Sequence, residues 1–223
     1  MEANLIPLKM KLLVMAILVA AVSGCSKDDK ATAPNGNSNA LFFVGTVNGM
    51  DGSLSGSVSF SVNDTVVTGT FKIVTPDTAT IALIGTYDTT NKALGAAGGG
   101  HSFGGVYDGT NRLEGVLTGP TTGTFVAIKD DDNSAIAFCG TFTGDDDGLW
   151  NFTIDGTIIA GSYTTLSGSM GALDGSISGN AISISNPAGG AALATGTRSG
   201  DNASGTWNDG QGNSGTWIGY RSN

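Results

Sequence analysis

Charged residues are scarce in this chain, and basic residues are the scarcest. Of the 223 residues, 10 are Lys or Arg, one is His and 19 are Asp or Glu, which gives a formal net charge of −9. Glutamate occurs only at Glu2 and Glu114. Helix bundles and coiled coils need Ala, Glu, Lys and Leu in quantity, and phosphate binding needs clustered Lys and Arg. The composition therefore argues against a helical bundle and against nucleic acid as a partner.

Glycine is abundant instead. It supplies 36 of the 223 residues, which is more than twice its usual share of roughly 7%. With only five prolines, the two residue types together stay below the roughly 25–30% that indicates wholesale disorder. The glycine-rich and β-branched character of the chain predicts an all-β fold.

The N-terminal region carries a targeting pattern. Lys9 and Lys11 lead into an apolar run over residues 12–22. That run is too short for a membrane-spanning helix, which needs about 20 residues. A short apolar run behind basic residues is typical of a secretory signal peptide.

The run ends in Val-Ser-Gly-Cys at residues 22–25. This tetrapeptide resembles the lipobox of bacterial lipoproteins. The resemblance implies that residues 1–24 are a signal peptide, with Met10 as an alternative start, and that Cys25 is lipidated and becomes the mature N-terminus. The alternative is an ordinary signal peptide followed by an incidental cysteine.

Residues 25–40 are rich in Asn, Pro, Thr and Ser and predict a flexible tether. Ser26 behind the cysteine resembles the pattern of outer-membrane lipoproteins. Lys-Asp-Asp at residues 27–29 resembles the export tag of surface lipoproteins in Bacteroidota, although a charged tether is an equal alternative. The expected location is the outer membrane, facing either the cell surface or the periplasm, with the lipid on Cys25 as the contact to the membrane.

The rest of the chain contains an internal duplication, which predicts two homologous units at 41–130 and 137–221. The first residues of the two units match at an offset of 95, and the later residues match at 92 because one turn is shorter. The pairs matched at 92 include Phe60 with Phe152, Val62 with Ile154, Gly69 with Gly161 and Phe125 with Trp217, and Gly105 still corresponds to Gly196 in the less well aligned middle.

Each unit is expected to hold about seven or eight short antiparallel strands. Apolar and polar residues alternate around Phe152, a period of two that predicts a strand. Asp155-Gly156 follows as a two-residue hairpin signal, with Asn63-Asp64 at the same place in the first unit. Two small tandem barrels or sandwiches are the first interpretation and one larger composite sheet or barrel is the second. Gly/Ser/Thr-rich segments such as Ser-Gly-Thr-Trp at 204–207 resemble repeat units of bacterial envelope lipoproteins. The resemblance implies a β-meander but no activity.

Several residues were weighed as catalytic and none fits a known arrangement. Cys139 lies in an apolar run and is expected to be a small buried side chain, without a partner once Cys25 is lipidated. Glu114 is expected at a surface strand position, and His101 in an exposed loop. No nucleophile elbow or phosphate-binding loop is present. The chain is therefore predicted not to be an enzyme and to need no cofactor.

Two acidic runs are weak candidates for calcium, which takes oxygen ligands. They are expected to be solvated turns, and neither fits an EF-hand. Their members are Asp130, Asp131 and Asp132 in the first run and Asp145, Asp146 and Asp147 in the second.

All three tryptophans, Trp150, Trp207 and Trp217, lie in the second unit. Gly-Thr-Trp strands resemble those of avidin-like ligand binders, which implies an aromatic wall for an apolar or sugar-like ligand. Core packing explains the same residues as filling of a thin barrel. The predicted function is a noncatalytic, lipid-anchored envelope protein with a structural, adhesive or accessory role, and the alternative is a barrel that binds a small ligand.

Overall fold

The computed structural model describes residues 40–185 and 192–223, which form sixteen strands and no helix. The all-β prediction is confirmed. No helix in these ranges is long and apolar enough to cross a membrane. The predicted signal peptide, Cys25 and the tether up to residue 39 lie outside the described residues.

The first eight strands form a closed antiparallel barrel, which we call barrel 1. Each strand pairs with the next along the chain, and the first and last pair with each other to close the barrel. The strands are β1 (Leu41–Gly49), β2 (Ser55–Asn63), β3 (Val66–Thr75), β4 (Ala79–Asp88), β5 (Ala93–Gly98), β6 (His101–Tyr107), β7 (Arg112–Thr118) and β8 (Gly123–Lys129).

The other eight strands repeat this plan in barrel 2, which is closed by pairing between its first and last strands. Two closed barrels rule out the alternative of one composite sheet. The strands are β9 (Ile136–Gly144), β10 (Gly148–Asp155), β11 (Ile158–Thr165), β12 (Met170–Ser178), β13 (Ala181–Ser185), β14 (Ala192–Ser199), β15 (Asn202–Asn208) and β16 (Ser214–Arg221).

The hairpin turns lie one residue later than the sequence predicted. In barrel 2 Asp155 still pairs with Ile158, so the two turn residues are Gly156 and Thr157. The first turn residue has a φ of 55° in both barrels, at Gly156 and at Asp64. This left-handed conformation suits Gly and is tolerated by Asp, whose short polar side chain can bond locally.

Equivalent side chains of the two barrels are equally buried. Phe60 and Phe152 are 2% and 0% exposed, and Val62 and Ile154 are 1% and 3% exposed. Because a slip of one residue in register would turn these side chains to the opposite face, the shared burial shows that the duplication extends to three dimensions.

Paired glycines make room for one large aromatic ring inside each barrel. Gly105 pairs with Gly115 in barrel 1, and Gly196 pairs with Gly205 in barrel 2. A Cβ on Gly105 would lie 2.6 Å from the Phe125 ring, and one on Gly196 would lie 2.5 Å from the Trp217 ring. The glycines predicted inside strands thus serve close approach of an aromatic ring.

The barrels contact each other through the outer faces of β1 and β8 on one side and β10 and β11 on the other. Val126, Ile128 and Ala160 form a small apolar cluster there. Beside it Asn48 and Asn151 are completely buried. The buried amides are hydrogen-bonded across the interface, as burial of polar groups requires.

The bonds of these two asparagines join the barrels directly. Asn151 Nδ2 donates to the Val47 carbonyl at 3.0 Å and also to Asn48 Oδ1. Asn48 Nδ2 donates to the Ser162 carbonyl at 2.8 Å, and the Gly140 N–H donates to Asn151 Oδ1 at 3.0 Å. The interface therefore combines directional bonds with a small apolar cluster.

Candidate functional site

A cavity of about 180 Å³ opens at one end of barrel 2. It lies where β9 turns into β10, β11 into β12 and β15 into β16, so residues far apart in the chain meet there. Aromatic and aliphatic side chains form its walls, and polar and acidic side chains surround its opening. The lining residues are Phe142, Asp146, Trp150, Tyr163, Thr165, Ser169, Leu193, Trp207, Asp209 and Asn213.

Four aromatic rings form the wall, and they pack against one another. Trp150 stacks on Tyr163, with ring centroids 6.3 Å apart. Phe142 stands edge-on to both of these rings and to Trp207, whose ring centroid is 5.7 Å away. Edge-to-face and offset-stacked pairs at these separations are the favoured aromatic arrangements, so the wall is preformed.

A hydrogen bond holds Trp207 in place. Its Nε1–H donates to the Thr143 carbonyl at 3.1 Å. A Cβ at Gly215 would come within 2.5 Å of that nitrogen, so glycine is needed there for the ring to lie in this position. By contrast, the buried Nε1 of Trp150 has no hydrogen-bond partner among the described residues.

Trp217, the third tryptophan, does not line the cavity. It is 1% exposed and lies deeper in the barrel, stacked on Trp150 at 6.0 Å and edge-on to Phe152 at 5.8 Å. Of the three tryptophans considered for an aromatic wall, Trp150 and Trp207 form the wall of the cavity, whereas Trp217 fills the core.

Two carboxylates lie at the cavity, Asp146 and Asp209. Asp209 is held by its own loop, because it accepts hydrogen bonds from the N–H of Gln211 at 2.7 Å and from Asn213 Nδ2 at 2.6 Å. The bond from the Gln211 N–H is the largest of the effects that lower the pKa of Asp209. The described lining residues include no Lys, Arg or His, so the charge at the cavity is negative.

Of the residues that line the cavity, the sequence indicated Trp150 and Trp207 as candidates for ligand binding and Asp146 as a weak candidate for calcium binding. It missed Phe142, Tyr163 and Asp209. The signal for the first two was present, because Phe142 and Tyr163 have the inward parity of their strands, but only closure of the barrel brings the four rings to one end.

The matching end of barrel 1 is filled. Leu54, in the loop between β1 and β2, is 4% exposed and packs into the core of barrel 1. The matching loop of barrel 2 is Asp145, Asp146 and Asp147, three residues shorter between the glycines that flank it in both repeats. It has no apolar side chain to place there.

His101 also lies at the filled end, and its prediction as an exposed loop residue is wrong. It is the first residue of β6, is 7% exposed and packs edge-on to Phe71 at 5.4 Å. The turn preceding it is taken by Gly99 and Gly100, both at positive φ. The strand therefore begins at His101 with its side chain directed inward.

The first acidic run, a weak calcium candidate expected to be a solvated turn, lies beside an acid from another strand. Asp130 and Asp132 come together with Asp155, and their carboxylate oxygens lie within 4.8 Å of one another. Asp131 instead pairs with Lys129 at 2.8 Å. Burial, together with these like charges, raises the pKa of Asp155, which also accepts a hydrogen bond from Ser134 Oγ at 3.0 Å.

The second acidic run is not part of this cluster. Asp145 Oδ2 accepts from the Ser214 N–H at 2.8 Å, and Asp147 Oδ1 accepts from the Gly144 N–H at 3.2 Å. Among the described residues, Asp130, Asp132 and Asp155 are the one group of three or more potential metal ligands brought close together. The bond of Asp147 caps a local N–H group, as turn residues do, whereas that of Asp145 joins the β9–β10 loop to the start of β16.

The residues weighed for catalysis lie away from the cavity and apart from one another. Cys139 is buried, and burial raises the pKa of its thiol to about 11. A thiol with a raised pKa is a poor nucleophile at neutral pH. Glu114 is an exposed strand residue paired with Arg112, as predicted for a surface position.

No protein-family model matches this chain, and no curated protein is detectably similar to it.

Proposed function

We propose that this chain is a noncatalytic, lipid-anchored protein of the cell envelope whose second barrel captures a small ligand. The aromatic cavity at the end of barrel 2 carries the proposal. Ligand sites are typically concave and apolar, with a few polar groups at defined places, and this cavity has that composition. At about 180 Å³ it suits a ligand only a little larger than benzene, which occupies an engineered cavity of about 150 Å³.

The lipid anchor rests on the sequence. The lipobox-like residues 22–25 follow a signal-like apolar run, and lipid attached to Cys25 would hold the barrels at a membrane. One acyl chain gives only marginal binding, whereas two or more anchor stably. The tether up to residue 39 would then set the distance between the membrane and barrel 1.

Replacing Cys25 tests the anchor. Cys25→Ser should leave the precursor uncleaved by the lipoprotein signal peptidase and without label from a clickable palmitate analogue. Cys139→Ser is the matched control, because it removes the chain's other thiol and should keep full labelling. Labelling of Cys25→Ser at the wild-type level would refute the anchor.

The absence of catalysis is proposed from the groups near the cavity. One of its hydroxyls is engaged with its own loop: Thr165 Oγ1 lies 2.8 Å from Ser167 Oγ and accepts from the Ser169 N–H at 2.9 Å. Among the described lining residues there is no His, Cys or Lys. Nucleophilic catalysis needs a nucleophile with a base within hydrogen-bond reach, and among the described lining residues no hydroxyl is hydrogen-bonded to Asp146 or Asp209.

Ligand capture can be tested with a small neutral probe, benzyl alcohol, on the full chain carrying Cys25→Ala. All three tryptophan indoles lie in barrel 2, so their Nε1–H signals in NMR report on it separately. Saturable shifts are expected at Trp150 and Trp207, with a smaller shift at Trp217.

The matched variants are Trp207→Leu, which removes one wall, and Tyr220→Leu, which removes an aromatic ring that is 57% exposed on the outer surface. Binding should weaken at least tenfold in the first and stay unchanged in the second. Unchanged binding in Trp207→Leu, or no saturable shift in the parent chain, would contradict capture at this cavity.

A structural or adhesive role is the second candidate, and the filled interior of barrel 1 favours it. Phe60, Phe71, Phe103 and Phe125 form a contiguous ring cluster there. That barrel serves as a rigid support whether or not barrel 2 binds a ligand.

A further inference from the structure

The charges around the cavity of barrel 2 are of one sign. Asp146 and Asp209 line it directly, and Asp145 and Asp147 lie in the same loop as Asp146. With no basic side chain among the described lining residues, the field at the opening is negative. Like-signed groups around a low-dielectric cleft attract ligands of the opposite charge and repel their own.

The aromatic wall favours the same ligand charge. The faces of Trp, Tyr and Phe carry negative electrostatic potential and attract cations that approach within about 6 Å, and Trp is the strongest of the three. Trp150, Trp207, Tyr163 and Phe142 all line the cavity, and Trp207 is fixed there by its bond to the Thr143 carbonyl.

Two of the polar groups at the cavity are already engaged within their own loops, whereas the buried Nε1 of Trp150 has no partner among the described residues. Asp209 accepts from the N–H groups of Gln211 and Asn213 and from Asn213 Nδ2. Thr165 Oγ1 is similarly engaged with Ser167 and Ser169. A sugar needs several directional partners for its hydroxyls, whereas attraction of a cation to carboxylates and rings needs no vacant donor or acceptor.

From these three observations we infer that the ligand of barrel 2 is a small organic cation of the quaternary or tertiary ammonium class. The inference rests on the proposed capture function and narrows it to one ligand chemistry. The trimethylammonium group is compact enough for a cavity of about 180 Å³. Its methyl groups would lie against the rings, while its charge would face Asp146 and Asp209.

Choline and its neutral isostere 3,3-dimethylbutan-1-ol test this inference, because they share a shape and differ in charge. Both are titrated into the full chain carrying Cys25→Ala, with the Trp150 and Trp207 indole signals as the readout. Choline should bind at least tenfold more tightly than the isostere at low salt. Because the carboxylates are near solvent, this preference should shrink as added NaCl screens them.

Charge-removing variants locate the effect. Asp146→Asn and Asp209→Asn should each weaken choline binding about threefold or more and leave the isostere unaffected. Asp77→Asn is the matched control, since Asp77 is an exposed acid in the turn before β4 of barrel 1 and its replacement removes the same formal charge. Choline binding should not change in that variant.

Four results would overturn the inference. The first is equal affinity for choline and the isostere, which would leave small-ligand capture standing while removing the charge preference. The second is choline binding that ignores both cavity carboxylates, and the third is a neutral monosaccharide that binds more tightly than choline. Failure of both isosteres to bind would also overturn it, and the benzyl alcohol titration would then decide separately whether the cavity captures any ligand.

Discussion

Barrel 1 and barrel 2 share one strand plan, yet their matching ends differ. In barrel 1 the loop between β1 and β2 places Leu54 in the core, whereas the corresponding loop of barrel 2 is three residues shorter and consists of aspartates. The first end is filled, and the second opens into an aromatic cavity. The comparison teaches that two barrels with one strand plan can differ at a single end, where Leu54 and His101 fill barrel 1 and a shorter acidic loop borders the cavity of barrel 2.

The same comparison extends to the interior side chains. Barrel 2 has Trp150 and Trp217 where barrel 1 has Val58 and Phe125, and all four are at most 3% exposed. Barrel 2 therefore holds larger side chains at the same strand positions without exposing them. The glycine pairs beneath Phe125 and Trp217 provide the space.

The largest expected effect tests whether the two cores are equivalent. Phe60→Ala and Phe152→Ala should each lower the free energy of unfolding by about 3–5 kcal/mol, because each deletes a fully buried ring and leaves a cavity. Urea denaturation measures both. A core-sized loss for one variant with a loss below about 1 kcal/mol for the other would break the equivalence of the barrels.

The filled end of barrel 1 is tested next. Leu54→Ala should cost about 2–4 kcal/mol in the free energy of unfolding, as expected for a buried leucine. Leu166→Ala, at a 66% exposed position in the β11–β12 loop of barrel 2, is the matched control and should cost less than about 0.5 kcal/mol. Equal costs would mean that Leu54 does not close barrel 1.

A smaller effect is expected from a substitution at the contact between the two barrels. Asn151→Ala should cost about 1–3 kcal/mol, because it leaves the buried Val47 carbonyl and Gly140 N–H without their bonds. It should also uncouple unfolding: tryptophan fluorescence reports barrel 2 alone, while far-UV circular dichroism reports both barrels.

In Asn151→Ala the two midpoints should therefore diverge, whereas in the exposed control Asn202→Ala they should stay as in the parent chain. Coincident midpoints and unchanged stability in Asn151→Ala would show that the amide network does not couple the barrels.

The smallest expected effect concerns the acidic cluster of Asp130, Asp132 and Asp155. Burial and the neighbouring carboxylates raise the pKa of Asp155, so the folded state binds its proton more tightly than the unfolded state. The ionised group thus destabilises the fold above its raised pKa, and this cost is relieved as the pH falls through that value toward the ordinary range near 4.

Asp155→Asn should accordingly raise the free energy of unfolding at pH 7 by about 0.5 kcal/mol, the scale of a surface charge pair, with the gain fading on acidification. Chemical denaturation across that pH range measures it, with Asp77→Asn as the control. Lower stability of Asp155→Asn at pH 7 would contradict the sign. A calcium-dependent stabilisation lost in Asp155→Asn would show instead that the cluster binds the ion.

Local pattern was enough to predict the strands and their parity. The alternation around Phe152 and its repetition around Phe60 predicted which side chains face inward, because successive residues of a strand point to opposite faces. The repeat predicted two units, and the short turn at residues 145–147 was visible as the change of offset. The prediction for His101 was wrong because no local pattern shows that its strand begins directly after Gly99 and Gly100.

What local pattern could not decide is where separate segments meet. The pairing of β9 with β16 closes barrel 2 and brings Phe142, Trp150, Tyr163 and Trp207 to one end. Likewise Asp155 joins Asp130 and Asp132 from a different strand.

The docking of the barrels is the clearest case. Asn48 is completely buried against barrel 2, while Thr143, its counterpart in the repeat, is exposed. Two nearly equivalent surfaces therefore have different surroundings. Amino-acid sequence by itself determined the all-β class, the duplication and the inward-facing residues, since these follow from periodicity two and from turn residues. Tertiary structure alone decided closure, docking and the cavity, because these depend on contacts between residues distant in the chain.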